Sequence, residues 1–129
     1  MRPILLALLV IFIGLSTTHA RANEPPRTTG EMYSACKPIA GSQSFSLQGV
    51  ELFNAGYCLG MIVSVANELG MNCLLKKDHT SFRADIYSVS RSALTQAFVN
   101  YARDNPQDWQ NPPFSGLAAA FRHYFPCTK

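Results

Sequence analysis

Residues 56–65 read GYCLGMIVSV, one cysteine and two glycines inside an otherwise apolar run. Working outward, Leu47, Val50, Phe53, Tyr57, Met61, Ile62, Val65 and Leu69 recur at steps of three and four. That period predicts a long helix, and the alternation by twos that a strand needs is missing. Gly70 falls where a helix C-cap belongs. Gly56, Gly60 and Ser64 are four apart and stack on one face, where small residues let another helix backbone come close. Two mid-helix glycines cost about 1 kcal/mol each, so this face is expected to be packed.

The remaining segments also read as helical. Residues 23–27 form a short lead-in, and Thr28 with Glu31 has the spacing of a capping box. A first short helix is therefore expected over 29–36, stopped by Pro38. Gly41, Ser42, Gln43 and Ser44 make a polar connection. A third helix carries the stripe Ile86, Val89, Ala93, Leu94, Ala97, Phe98 and Tyr101, with Arg91, Asn100 and Arg103 opposite, and ends at Asp104-Asn105-Pro106. Residues 107–111 hold the single tryptophan, Trp109. Pro112-Pro113 then opens a last helix in which Phe114, Leu117, Ala118, Phe121 and Phe125 share a face, and Pro126 stops it before Cys127. No repeat and no strand pattern is present. The expected fold is all-α, a small disulfide-stapled bundle of about four helices.

The chain opens with Met1-Arg2-Pro3 and an apolar run over 4–15, then Ser16-Thr17-Thr18-His19-Ala20-Arg21-Ala22. A positive start, an apolar middle and a small-x-small end predict a signal peptide over 1–22, cut after Ala22, with a cut after Ala20 as the alternative. The run is shorter than the ~20 residues a membrane span needs. Export, with no membrane attachment after cleavage, leaves residues 23–129. Loss of Arg2 and Arg21 from the 11 Lys and Arg leaves nine against eight Asp and Glu. A net charge this small argues against nucleic-acid binding.

Cys36, Cys58, Cys73 and Cys127 all fall in the mature part, and an even count in an exported chain reads as two disulfides. If the long helix runs from Cys58 to Leu69, its ~1.5 Å rise per residue carries Cys73 roughly 16 Å or more from Cys58. A disulfide needs Cα atoms about 4.4–6.8 Å apart, which removes that pairing. Of the two remaining connectivities, Cys36–Cys58 with Cys73–Cys127 is preferred. The first would clip the short helix to its neighbour, and the second would tie the end of the long helix to the chain terminus.

The same residues read poorly as catalytic groups. A nucleophilic Cys58 would need a base, and the mature histidines, His79 and His123, sit in no nucleophile motif. A disulfide-bonded sulfur is also no thiolate. There is no Cys-x-x-Cys and no histidine pair at ligand spacing, so no metal and no cofactor is expected. Asp78 with Asp85, and Asp104 with Asp108, flank loops and turns where carboxylates cap and hydrate. The expectation is a protein without catalytic activity. Trp109 lies between Asp104 and Pro113 in a loop stiffened by three prolines. It reads either as an interface anchor or as a lid folded back on the core.

Cys58-Leu59-Gly60-Met61-Ile62-Val63-Ser64-Val65 resembles the Cys-x-Gly-Tyr-Ile-x-Gly-Val helix of the Rap/Tai immunity proteins of type VI secretion. The resemblance continues through Cys73, Tyr101 with Asn105-Pro106, and Phe125-Pro126-Cys127, and so covers about residues 33–127. Met61 stands where that family favours tyrosine and Ser64 where it favours glycine. The resemblance implies a small periplasmic helical inhibitor that blocks the active site of a peptidoglycan-cleaving amidase effector, and it also implies a homodimer. The expected partner-binding residues lie in the polar loops 76–83 and 107–111: Lys76, Lys77, His79, Arg83 and Trp109. The alternative from another class is a periplasmic disulfide-bonded stress chaperone. Such chaperones expose apolar surface on acidification and use many titratable groups, whereas here 15% of residues are charged.

Overall fold

The computed structural model describes residues 24–41, 46–76 and 82–128. The predicted signal peptide, Ser42 to Ser44 of the polar connection, and Lys77, Asp78 and His79 lie outside the described residues. Among the described residues there are four α-helices: α1 Thr29–Cys36, α2 Val50–Leu74, α3 Arg91–Asp104 and α4 Pro113–Tyr124. Single 3-10 turns at Lys37–Ile39 and Pro106–Asp108 follow α1 and α3. Among the described residues there is no strand, only one isolated bridge between Ala84 and Pro126.

Helix α1 has the bounds its cap predicts. The Thr28 hydroxyl accepts the N–H of Glu31 at 3.2 Å. The Glu31 carboxylate accepts the N–H of Arg27 at 2.7 Å, one residue earlier than the reciprocal bond of a capping box. Pro38 lies within the 3-10 turn that follows, where it cannot supply the amide a continuing helix would need.

Helix α2 starts and ends later than its apolar period predicts. Leu47 precedes the helix, and Gly49, at φ +56, makes the left-handed turn into it. Gly70 is an interior residue and not a C-cap. A Cβ there would lie 3.1 Å from Cε2 of Tyr87 and 3.2 Å from Cγ1 of Ile86, so a bare backbone is what lets that segment cross the helix. The last turn closes where Leu75 N–H donates to the Met71 carbonyl (2.9 Å) and Lys76 N–H to that of Cys73 (3.2 Å).

Helix α3 starts five residues after Ile86. The Ser90 hydroxyl accepts the N–H of Ala93 at 3.2 Å and caps the helix there. The preceding segment spends its donors elsewhere: Ala84 N–H on the Leu69 carbonyl (3.2 Å) and Asp85 N–H on that of Phe125 (2.9 Å). Ile86 still joins the core from this extended segment. Helix α4 carries Pro113 at its first position, where a missing N–H costs nothing.

All four helices feed one core, in which Met32, Cys36, Cys58, Ile62, Leu69, Phe98, Leu117 and Phe121 are fully buried. Burying each large apolar side chain contributes on the order of 1.5–3 kcal/mol. The disulfides are Cys36–Cys58 and Cys73–Cys127, with Cα separations of 5.3 and 5.8 Å, and no cysteine is free. Loops of 22 and 54 residues would stabilise by about 3 and about 4 kcal/mol through chain entropy. Two disulfides in one small domain place it in an oxidising compartment outside the cytoplasm.

Candidate protein-binding surface

Helix α2 has 25 residues, and Glu51 and Glu68 are its only charged ones. It is long and apolar enough to cross a membrane by length and composition alone, yet 28% of its most apolar window is buried in the bundle. One side, Cys58, Ile62, Val65, Leu69 and Cys73, faces the core. The opposite side runs Leu52, Phe53, Gly56, Gly60, Ser64, Asn67, Met71, Leu74 at steps of one to four over about 33 Å, with the exposed Glu68, four residues after Ser64, as the charge at its edge. Leu52 is 57% exposed, Met71 47% and Leu74 52%.

The glycines lie on this open side, so the helix backbone they were expected to admit is not supplied by the described residues of this chain. Gly56 and Gly60 are exposed, and a Cβ on either would meet nothing within 4 Å. Ser64 is exposed with them. The helix-propensity cost of the two glycines is therefore not offset by any contact within the described bundle.

Beside the C-terminal half of this face lies a groove of about 270 Å³, between α2 and residues 86–94. Ala66 and Gly70 make one wall low, while Ile86, Val89 and Leu94 supply an apolar wall opposite. Tyr87, 55% exposed, lies over Gly70, and its hydroxyl donates to the Met71 sulfur at 2.8 Å. Arg91, the first residue of α3, stands at the lip.

The expected partner-binding residues do not gather there. Lys76 is exposed in a left-handed turn at the end of α2, φ +49. Lys77 and His79 lie outside the described residues. Arg83 is part-buried next to Phe82, whose ring packs 5.7 Å from Phe114 and lies beneath the Arg122 guanidinium. Trp109 is turned inward. Its indole N–H donates to the Ala102 carbonyl at 2.7 Å, its ring stacks on Tyr33 at 5.5 Å, and Gly30 leaves room for it. Of the two readings of Trp109, the geometry is that of the lid. The signal that could have located the open face was the apolar Leu52–Met71–Leu74 stripe, half a turn away from the core stripe.

Electrostatics at the other end of the bundle is local. Burial, then its hydrogen bond to Asp108 (3.1 Å), raises the Tyr101 hydroxyl above the ordinary tyrosine range. The bond from Arg103 lowers the fully exposed Asp104 carboxyl. His123 contacts the rings of Tyr101 and Tyr124. Among the described residues no group of three or more His, Cys, Asp or Glu could hold a metal ion. The chemistry this surface offers is burial of apolar area against another molecule. No family model, no curated protein and no solved structure matches this chain.

Proposed function

We propose that this chain is a periplasmic immunity protein that binds and inhibits a peptidoglycan amidase effector of type VI secretion, without catalysis of its own. The reading starts from the resemblance carried by residues 58–65, Cys73, Tyr101 with Asn105-Pro106, and 125–127. The observation that supports it best is the charge-poor, apolar exposed face of α2 on a bundle held by two disulfides. Depletion of charge with exposed Leu, Met and Phe is the composition of an interface core. A framework already ordered before binding loses little entropy on docking. In the same reading the bare backbone at Gly56 and Gly60 allows two copies of α2 to approach closely, so that a homodimer and the amidase would compete for this one face.

The decisive experiment identifies what the gene beside this one encodes and, where that is a peptidoglycan amidase, mixes it with the mature chain. Amidase turnover on purified peptidoglycan should fall to baseline at equimolar inhibitor, and Leu52→Asp with Met71→Asp should restore it. Undiminished turnover, with no complex on gel filtration, overturns the assignment. The exposed apolar residues of α2 also suit the chaperone reading. Light scattering of an aggregating client at low pH separates the two, since strong suppression there would favour the chaperone.

A further inference from the structure

We propose that the groove between α2 and residues 86–94 is a socket for a segment of a partner protein that presents one aliphatic or aromatic side chain close to a carboxylate. This deepens the preceding reading and rests on the chain being a protein-binding module.

Size sets what can enter. An engineered cavity of ~150 Å³ already takes benzene, so at about 270 Å³ the groove has room for one aliphatic or aromatic side chain with its flanking backbone.

Its walls are fixed in advance. Ala84 N–H is bonded to the Leu69 carbonyl (3.2 Å), Val89 N–H to that of Ile86 (3.0 Å), and Asn72 donates to the Phe82 carbonyl (3.0 Å). The Tyr87 hydroxyl bond to Met71 holds the ring that overhangs Gly70. A partner side chain would enter without ordering these elements first.

Charge decides what lies beside that side chain. Arg91 occupies the first helical position of α3, where the helix dipole favours an anion and disfavours a cation. No acidic residue lies in that first turn, and among the described residues Arg91 makes no ion pair. A cation set against the dipole at the lip of an apolar groove is a local cost with no return among the described residues. A partner carboxylate at the lip would satisfy both the guanidinium and the dipole.

The test is a ¹⁵N NMR titration of the mature chain with acetyl-Leu-Glu-amide, acetyl-Leu-Gln-amide and acetyl-Gly-Glu-amide. Saturable shifts confined to residues 63–70 and 86–94 are expected for the Leu-Glu probe. The Gln and Gly analogues should each bind roughly fivefold more weakly, the scale of one exposed ion pair or one part-buried side chain. Arg91→Gln should erase the preference for Glu over Gln while leaving the amide spectrum otherwise intact, and Asn67→Trp should block all three probes. Equal binding of Glu and Gln probes, or no saturable shift in the groove, overturns the proposal. Groove shifts that follow protein concentration alone also overturn it, since a second copy would then be the occupant. Amidase inhibition without probe binding would sink the socket and leave the inhibitor standing; probe binding without amidase inhibition would do the reverse.

Discussion

Two regions of the bundle use glycine in opposite ways. Where α1 meets α4, a Cβ on Gly116 would lie 2.3 Å from Cγ2 of Thr29, itself fully buried. Thr29 donates its hydroxyl to the carbonyls of Asn111 (3.0 Å) and Pro112 (3.1 Å), and its N–H to that of Asn111 (2.8 Å). Next to it Gly30 admits Trp109. On the outer side of α2, Gly56 and Gly60 face open space. In the first region the missing Cβ is consumed by the fold. In the second no described residue of the chain uses it.

The contrast can be broken at either end. The largest effect is expected from Trp109→Ala, which removes the lid, its stacking on Tyr33 and its bond to Ala102. Urea unfolding should show a loss of about 3 kcal/mol, the low end for a large aromatic because Trp109 is half-buried. Gly116→Ala should cost about 2 kcal/mol in the same assay by overpacking against Thr29. A neutral result would mean that α4 slides freely on α1. Gly60→Ala should go the other way, stabilising the dilute monomer by up to about 1 kcal/mol through helix propensity alone. Destabilisation there would show that Gly60 is packed within the monomer. Gly60→Arg should leave the monomer folded while abolishing any dimer seen by sedimentation.

The smallest expected effect is a pH dependence. The Tyr101 proton is held more tightly in the folded chain, so its contribution is full below the ordinary tyrosine value and is lost as pH rises through the raised one. Between about pH 9 and about pH 11 the unfolding midpoint of the parent chain should fall more steeply than that of Tyr101→Phe. Parallel curves would remove Tyr101 from the account.

Helix existence was legible because a period of three to four survives in every segment. Boundaries were less so. The extent of α2 depended on Gly49 and on whether Gly70 ends a helix or makes room for Tyr87, a contact made 17 residues along the chain. The start of α3 depended on Ser90 winning the cap over an apolar stripe that continues back to Ile86. Trp109 and the α2 glycines were legible only in part for one reason: residue type shows that a contact is wanted, not which side supplies it. The polar loops 76–83 and 107–111 drew attention through composition, whereas the open face of α2 is apolar and resembles core when read as a string.

The number of disulfides and the helical periodicity were settled by the amino-acid order itself. Rigid helix geometry forbids Cys58–Cys73 and leaves two connectivities, between which the folded bundle decides, and apolar residues at helical spacing have to be covered on at least one side. Which side of α2 is covered belongs to the folded bundle. The helix carries apolar residues nearly all the way round, and three short neighbours can shield only one face of it. The face they leave open, with Gly56, Gly60 and the Arg91 groove, follows from how many helices there are to pack.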